Sequence, residues 1–363
     1  MRPYSISLAG RVRNFPLPLN RPLIPLYEAV VNSLHAIEER KQEDSSFANG
    51  EIAIEVIRST QSSLYDDSEL PAVEGFKIID NGIGFTERNI ESFLESDSTY
   101  KEALGGKGVG RFSWLKAFSS VAVSSIYKDN GTFVKRDFAF STSASFLDDT
   151  LMDCAEADDY LTSVTLESYF SEYEKHVPKK TNTIATRIMQ HCLIYFLDKD
   201  CPQIVIRDID ESIVLNQLFS DTVKTEDNIM TFEIKSLSFS LLNVKVEEKT
   251  FPGNRLYMCA NSRLVDSRDL EKLIVDLDGQ IFERNGFWYI GILTSSFLDS
   301  HVDMNRLSFN ISENNANLTT EASLDEIVSE ACTHIKVFLF DFLDPIAKEK
   351  GKRIAEYVTT TAP

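Results

Sequence analysis

The sequence predicts an α+β protein with two domains, and three observations support this. The length of 363 residues exceeds the roughly 100–200 residues of one compact domain. Strand-like alternation and helix-like spacing follow one another in mixed order, which favours a mixed sheet with helices on one face over a doubly wound sheet. Asp129-Asn130-Gly131 joins two strand patterns, residues 121–127 and 132–140, and predicts a tight hairpin.

The composition excludes several classes of protein. The formal net charge of -19 argues against a general binder of nucleic-acid backbones, although a local basic patch is compatible with it. Five widely spaced cysteines without a C-x-x-C pair indicate neither a disulfide framework nor a zinc site. No apolar run reaches the length of a membrane span, and the first residues lack the apolar core of a signal peptide. We therefore expect a cytoplasmic protein without a membrane partner.

The pattern divides the chain into four segments. Residues 1–22 combine arginines with prolines and predict an extended arm, either on a partner subunit or as an edge strand of its own domain. Residues 23–175 form the first domain and residues 176–345 the second. The second carries a helix at 184–197, strands at 204–207, 232–235, 239–246 and 287–293, and a last helix at 323–342 that stops near Pro345. Residues 346–363 are expected to be a flexible tail.

The first domain opens with a helix that follows Pro22 and Pro25. Apolar residues repeat at helical spacing and predict a buried stripe along one side. Glu28, Asn32 and His35 fall on a separate line of the same helix. This line predicts either an exposed polar face or the border of a cavity.

A strand pattern at 51–58 is followed by a short apolar strand at 76–79 and the turn Asp80-Asn81-Gly82-Ile83-Gly84. Asp80 is expected to be partly buried, and a buried carboxylate needs a donor. The exocyclic amine of adenine is one such donor. The alternative is a turn aspartate that caps a helix at 86–95. Glycines in the turn permit a ligand to approach the backbone closely.

A glycine-rich loop at 105–110 precedes the helical pattern at 111–118. Its backbone N–H groups, with the charge of Lys107, predict an anion site at the start of the helix. The loop lacks the spacing of a Walker A motif and of a dinucleotide-binding fingerprint.

These three stretches together resemble the nucleotide motifs of the GHKL superfamily, which includes DNA gyrase B, heat-shock chaperones, histidine kinases and MutL. Glu28-x-x-x-Asn32, Asp80-x-Gly82-x-Gly84 and Gly106-x-Gly108-x-Gly110 agree with the family in order and spacing. The resemblance spans about residues 23–167 and implies a Bergerat-type α/β sandwich. The second domain resembles the transducer of the gyrase and MutL branch.

The resemblance implies an ATPase that uses Mg²⁺ and forms a homodimer when ATP is bound. Glu28 would be the general base, Asn32 the magnesium ligand and Asp80 the residue that binds adenine. The remaining nucleotide contacts would come from two glycines of the turn, the glycine loop, a threonine beside Asp80 and a basic residue of the transducer, namely Gly82, Gly84, Gly106, Lys107, Gly108, Val109, Gly110, Thr162 and Arg306. The sequence departs from the family at His35, Leu161 and Arg306, where Asp, Gly and Lys are usual.

Three other functions stay open from the sequence alone. One is a nucleotide-sensing module that does not hydrolyse ATP, and the second is a protein kinase of the histidine-kinase branch. The third is a dimer that clamps nucleic acid. The client, whether protein or DNA, and any further output domain or partner protein are not specified by the sequence.

Overall fold

The computed structural model describes residues 8–60, 70–94, 110–142, 149–198, 200–247, 253–261, 263–277, 280–303, 308–314 and 322–361. The chain is α+β and divides into two compact units, Met1–Phe219 and Ser220–Pro363. Within the described ranges, no helix has the length and apolar character needed to cross a membrane.

The first unit is built on one mixed sheet. Its strands are β1 (Glu51–Arg58), β2 (Val73–Asp80), β3 (Phe118–Asp129), β4 (Thr132–Ala139), β5 (Asp149–Asp153), β6 (Leu161–Tyr169), β7 (Gln203–Arg207) and β8 (Ser212–Val214). Their order is β5-β4-β3-β6-β2-β1-β7-β8. β1 and β7 are parallel, whereas the other neighbouring strands are antiparallel. The predicted hairpin is confirmed, because β3 and β4 pair with Asp129 opposite Thr132.

The helices of this unit are α1 (Leu8–Asn14), α2 (Ile24–Glu43), α3 (Glu87–Leu94), α4 (Arg111–Ala117), α5 (Ser171–Glu174), α6 (Thr181–His191), α7 (Leu193–Phe196) and α8 (Leu215–Thr222), the last of which continues into the second unit. α2 packs on β1 and β2, and α4 packs on α2 and β3. Alternate residues of β1, such as Ile52 and Ile54, are buried, whereas Glu51 is exposed. One face of the central strands therefore forms the core under the helices.

α2 is the central helix of this core. Pro25 lies in its first turn, where the missing N–H costs no intrahelical hydrogen bond. Leu26, Val30 and Val31 have no exposed surface. The predicted apolar stripe is confirmed and is wider than one face of the helix.

The second unit has a five-stranded sheet in the described part of the chain. Its strands are β9 (Val223–Ile234), β10 (Leu237–Val246), β11 (Arg255–Ala260), β12 (Arg263–Asp269) and β13 (Trp288–Thr294), in the order β12-β11-β13-β10-β9. The helices are α9 (Gln280–Asn285), α10 (Ser296–Ser300), α11 (Leu324–Phe338) and α12 (Phe340–Thr361). A capping box formed by Ser323 and Glu326 starts α11, and α11 covers β9 and β10.

The division between the units differs from the boundary predicted at residue 175. Residues 176–219 belong to the first unit, because β7 adds to the first sheet beside β1, with Ile204 opposite Ile52. Parallel pairing across such a long separation leaves no local sequence pattern, and the strand predicted at 204–207 therefore lies in the sheet of the first unit.

Both chain ends differ from the predicted segments. The described part of residues 1–22 contains the helix α1, rather than an extended arm or edge strand, and it packs on its own unit through buried Val12 and Phe15. Lys116 and Tyr173 donate hydrogen bonds to the carbonyls of Arg13 and Leu17, respectively.

At the other end, α12 continues to Thr361 with Pro345 inside it. A flexible tail was expected after residue 345, and the structure has a helix there instead.

Candidate functional site

The polar line on α2 begins in a largely buried part of the helix, residues 25–37, in which Asn32 is the one residue classed as exposed. Asn32 is exposed although both of its neighbours, Val31 and Ser33, are buried. Glu28, one turn earlier, is half-buried. His35 is buried, and its Nε2 lies 2.9 Å from the hydroxyl of Tyr195. The line therefore leaves Glu28 and Asn32 accessible, whereas His35 joins α2 to α7.

Asp80 ends β2 and is 4% exposed. Its Oδ2 accepts a hydrogen bond of 2.7 Å from the Ser33 hydroxyl on α2, and its Oδ1 accepts one of 2.9 Å from the Gly82 N–H. Each carboxylate oxygen can accept more than one hydrogen bond. Asp80 is thus a turn aspartate, as the alternative interpretation predicted, whereas the start of α3 is capped by Thr86, which accepts from the Asn89 N–H at 3.3 Å.

A polar row crosses the buried face of the sheet beside Asp80. Thr162 on β6 lies opposite Asp80 in the register, and Ser125 on β3 lies opposite Thr162. Their hydroxyl oxygens are 2.9 Å apart, and both residues are buried. Arg136 on β4 extends the row, because it lies opposite Ser125. The predicted Thr162 is thus brought next to Asp80.

Ser125 and Arg136 belong to none of the three motifs. Both interrupt the apolar alternation of a strand: Ser125 lies between the buried Val123 and Tyr127, and Arg136 between Val134 and Phe138. A polar residue at a position where the strand pattern predicts a buried apolar one is the feature of the sequence that indicates such a residue. Desolvation raises the pKa of the Tyr127 hydroxyl, and the nearby Arg136 partly offsets this, so the phenol stays protonated at neutral pH.

Two glycines of the turn after β2 are required by close packing. A Cβ at Gly82 would lie 2.6 Å from the carbonyl carbon of Ala36 on α2. Gly84 has φ of +80°, and a Cβ there would lie 2.8 Å from the Ser125 hydroxyl. A side chain at either position would push the turn away from α2 or β3.

The last glycine of the glycine-rich loop reaches Glu28. A Cβ at Gly110, which precedes α4, would overlap the Glu28 carboxylate and would lie 2.8 Å from its Cδ. The first and third motifs are therefore in contact. Gly106, Lys107, Gly108, Val109 and Arg306 lie outside the described residues.

No group of three or more His, Cys, Asp or Glu side chains that could hold a metal ion occurs among the residues the structure describes.

No protein-family model matches this chain, and a search of curated proteins finds no significant match.

Proposed function

We propose that this protein is an ATPase of the GHKL type, with a Bergerat-type first domain, that binds and hydrolyses ATP with Mg²⁺. One observation carries the proposal: three motifs that are distant in sequence meet at α2. Asp80 bonds Ser33 of α2 at 2.7 Å, Gly82 packs on Ala36 of α2, and Gly110 contacts Glu28 of α2.

The base of the nucleotide would bind at the turn after β2. Asp80 is a buried carboxylate that can accept a hydrogen bond from the exocyclic amine of adenine. Gly82 and Gly84 let the turn pack directly on α2 and β3 next to this carboxylate. Thr162 adds a hydroxyl next to the carboxylate. These groups would select a base that offers a donor at this position.

The phosphates would bind near the exposed end of the polar line on α2. Asn32 offers an amide oxygen, a ligand type that Mg²⁺ accepts, and its exposure within the largely buried stretch 25–37 fits this role. Magnesium, when bound, neutralises charge on the phosphates. The backbone of the glycine loop, Lys107 and Arg306 are proposed as further contacts to the phosphates.

Glu28 is proposed as the general base that takes a proton from the attacking water. It is half-buried and lies one helical turn from Asn32, which would place it beside the phosphates. Gly110 packs against its carboxylate and restricts where the side chain can lie. The carboxylate thus borders the start of α4, where N–H groups favour anions.

ATP binding would act as a conformational switch. In this proposal the glycine loop closes over the nucleotide, two chains associate, and hydrolysis releases them. The second unit, a five-stranded sheet with α11 and α12, is proposed as the transducer that passes this change to a protein or DNA client.

The test compares three variants of the full chain in ATP binding and hydrolysis. Glu28→Gln should still bind ATP but hydrolyse it about 10²–10⁴-fold more slowly, since it loses a general base. Asp80→Asn should bind ATP at least about tenfold more weakly, because it presents an amide where the carboxylate accepts a donor. Glu38→Gln, an exposed carboxylate on the same helix, is the matched control and should behave as the wild type.

The outcomes separate the competing functions. ATP binding without hydrolysis in the wild type would favour the nucleotide sensor, and a labelled phosphoprotein would favour the kinase. Wild-type protein that binds no nucleotide would contradict the proposal as a whole. Normal hydrolysis by Glu28→Gln would remove Glu28 as the base while leaving nucleotide binding intact.

A further inference from the structure

Two buried arginines lie on either side of the turn at residues 80–85. Arg40, near the end of α2, is 7% exposed, and Arg136, in β4, is 3% exposed. A buried guanidinium is stable only when it is paired and hydrogen-bonded. Their partners therefore show what each arginine holds in place.

Arg40 binds the first carbonyl after Asp80. Its Nη1 donates to the Asn81 carbonyl oxygen at 2.6 Å, and its Nη2 forms an ion pair of 2.8 Å with Asp159. The guanidinium carbon lies 3.9 Å from the ring centroid of Phe47 and 4.0 Å from that of Tyr160. Two aromatic rings thus fix the position of the group that holds Asn81.

Arg136 binds the last carbonyl of the turn in the same way. Its Nη1 donates to the Phe85 carbonyl oxygen at 3.2 Å, and its Nη2 pairs with Glu87 at 2.6 Å. Its Nε lies 3.4 Å from a carboxylate oxygen of Asp149. Each arginine therefore joins one carbonyl of the turn to carboxylates on neighbouring segments.

The backbone between these two carbonyls is held as well. The Ile83 N–H donates to the Ala36 carbonyl at 2.9 Å, and the Gly84 carbonyl accepts from Asn89 at 3.0 Å. The Phe85 N–H donates to the Ser125 hydroxyl at 2.9 Å. With both ends fixed by arginines, the turn has little freedom to move relative to Asp80.

We propose that Arg40 and Arg136, the arginine clamp, are positioning residues that set the base selectivity of the site. This inference rests on the proposed nucleotide site and adds to it. Neither arginine needs to touch the base, since both act through the turn that follows Asp80. A rigid turn keeps the Asp80 carboxylate where it accepts from the amine of adenine, whereas guanine presents a carbonyl oxygen at that position and is rejected.

Arginine rather than lysine is required for this role. Each side chain donates in two directions at once, to a turn carbonyl and to a carboxylate. The planar guanidinium of Arg40 also lies over the rings of Phe47 and Tyr160. Lysine keeps the positive charge but loses the fixed fork of donors and the flat face.

The experiment measures binding of ATP and of GTP by Arg40→Lys, Arg136→Lys and the double variant, together with kcat at saturating ATP and thermal unfolding. Each single variant weakens one charged hydrogen bond between the arginine and a carbonyl of the turn. Because the turn then holds Asp80 less firmly, ATP should bind about tenfold more weakly. GTP binding should change less, so that the preference for ATP over GTP falls, and falls furthest in the double variant. The kcat at saturating ATP should stay close to that of the wild type, because Glu28 is not displaced.

Arg58→Lys is the matched control. Arg58 is 8% exposed, ends β1 and pairs with Asp208, so its replacement lowers stability as the replacement of any buried arginine does. It should leave the ratio of ATP to GTP affinity unchanged.

Two results would overturn the inference, and they can be told apart. If the clamp variants unfold at lower temperature but keep the wild-type preference for ATP, as Arg58→Lys should, the arginines are only structural. If the wild type binds neither nucleotide, the proposed function fails and the clamp has no base to select.

Discussion

At the scale of single residues, the contact between Gly110 and Glu28 is the most informative feature of the site. Gly110 has helical backbone angles, φ -55° and ψ -36°, which any residue adopts. Glycine is therefore not needed there for its backbone. A Cβ there would instead occupy the space of the Glu28 carboxylate, so that the Glu28 side chain would have to move.

Gly110→Ala should therefore impair catalysis by displacing Glu28. We expect ATP hydrolysis to fall by at least about tenfold, since misplacement of a catalytic group by about 1 Å can cost 10²-fold. The steady-state rate and ATP affinity of the full chain provide the measurement.

Gly351→Ala, in α12, is the control for this variant. No atom lies within 4 Å of a Cβ at that position, so the rate should not change, and the helix should gain roughly 0.5–1 kcal/mol. A Gly110→Ala protein with a normal rate would show that Glu28 is free to move aside, which its proposed role does not permit.

At the scale of elements, a buried ion pair connects β1 to the segments around β7 and α6. The side chains of Arg58 and Asp208 are 3% and 6% exposed. Arg58 Nε donates to Asp208 at 3.0 Å, and the Thr181 hydroxyl donates to the same carboxylate at 2.5 Å. Burial alone would raise the pKa of Asp208, but the hydrogen bonds from Arg58 and Thr181 outweigh it and hold the pKa below its ordinary value.

Asp208→Asn should destabilise the protein in a pH-dependent way. At neutral pH the loss should be about 3–5 kcal/mol, because Arg58 stays buried without its charged partner. A lowered carboxyl pKa stabilises the fold fully above the unfolded-state value of about 4, and this contribution is lost as the pH falls through the lowered native pKa. The difference between wild type and variant should therefore shrink in acid.

Urea unfolding at a series of pH values measures this difference. Asp210→Asn, an exposed carboxylate two residues further along, should have little effect at any pH. A difference for Asp208→Asn that stays constant from neutral pH into acid would contradict the assignment of the pKa shift to this ion pair.

At the scale of the whole molecule, the proposed switch must bring together two strongly acidic chains. Each carries a formal net charge of -19, so two copies repel each other. Salt screens this repulsion by shortening the Debye length. The Debye length falls from about 30 Å at 0.01 M salt to about 10 Å at 0.1 M. Association of two copies should therefore strengthen as salt rises, whereas binding to nucleic acid weakens with salt.

We expect the mass measured by light scattering to double when a non-hydrolysable ATP analogue and magnesium are added. Glu28→Gln should stay dimeric in ATP itself, because the nucleotide is not consumed. Asp80→Asn should stay monomeric at analogue concentrations that saturate the wild type, since its affinity is lower. A wild-type mass that does not change at any salt concentration would contradict the dimer switch.

Several features of this protein follow from local sequence. Local sequence predicts the apolar stripe that buries Leu26 and Val30 on α2, the hairpin at Asn130 and Gly131, and the burial of Asp80. Each depends on periodicity or on backbone preference within a few residues, as the positive φ angles of Asn130 and Gly131 illustrate. Such patterns report which residues are inside and where the chain turns.

The tertiary structure alone decided which of these elements meet. β6 lies between β2 and β3 and brings Thr162 and Ser125 beside Asp80, and β7 pairs with β1 across the predicted domain boundary. Arg40 and Arg136 reach the turn after β2 from two different elements. Pairing between distant segments depends on the packing of the complete core, which no local pattern of one segment encodes.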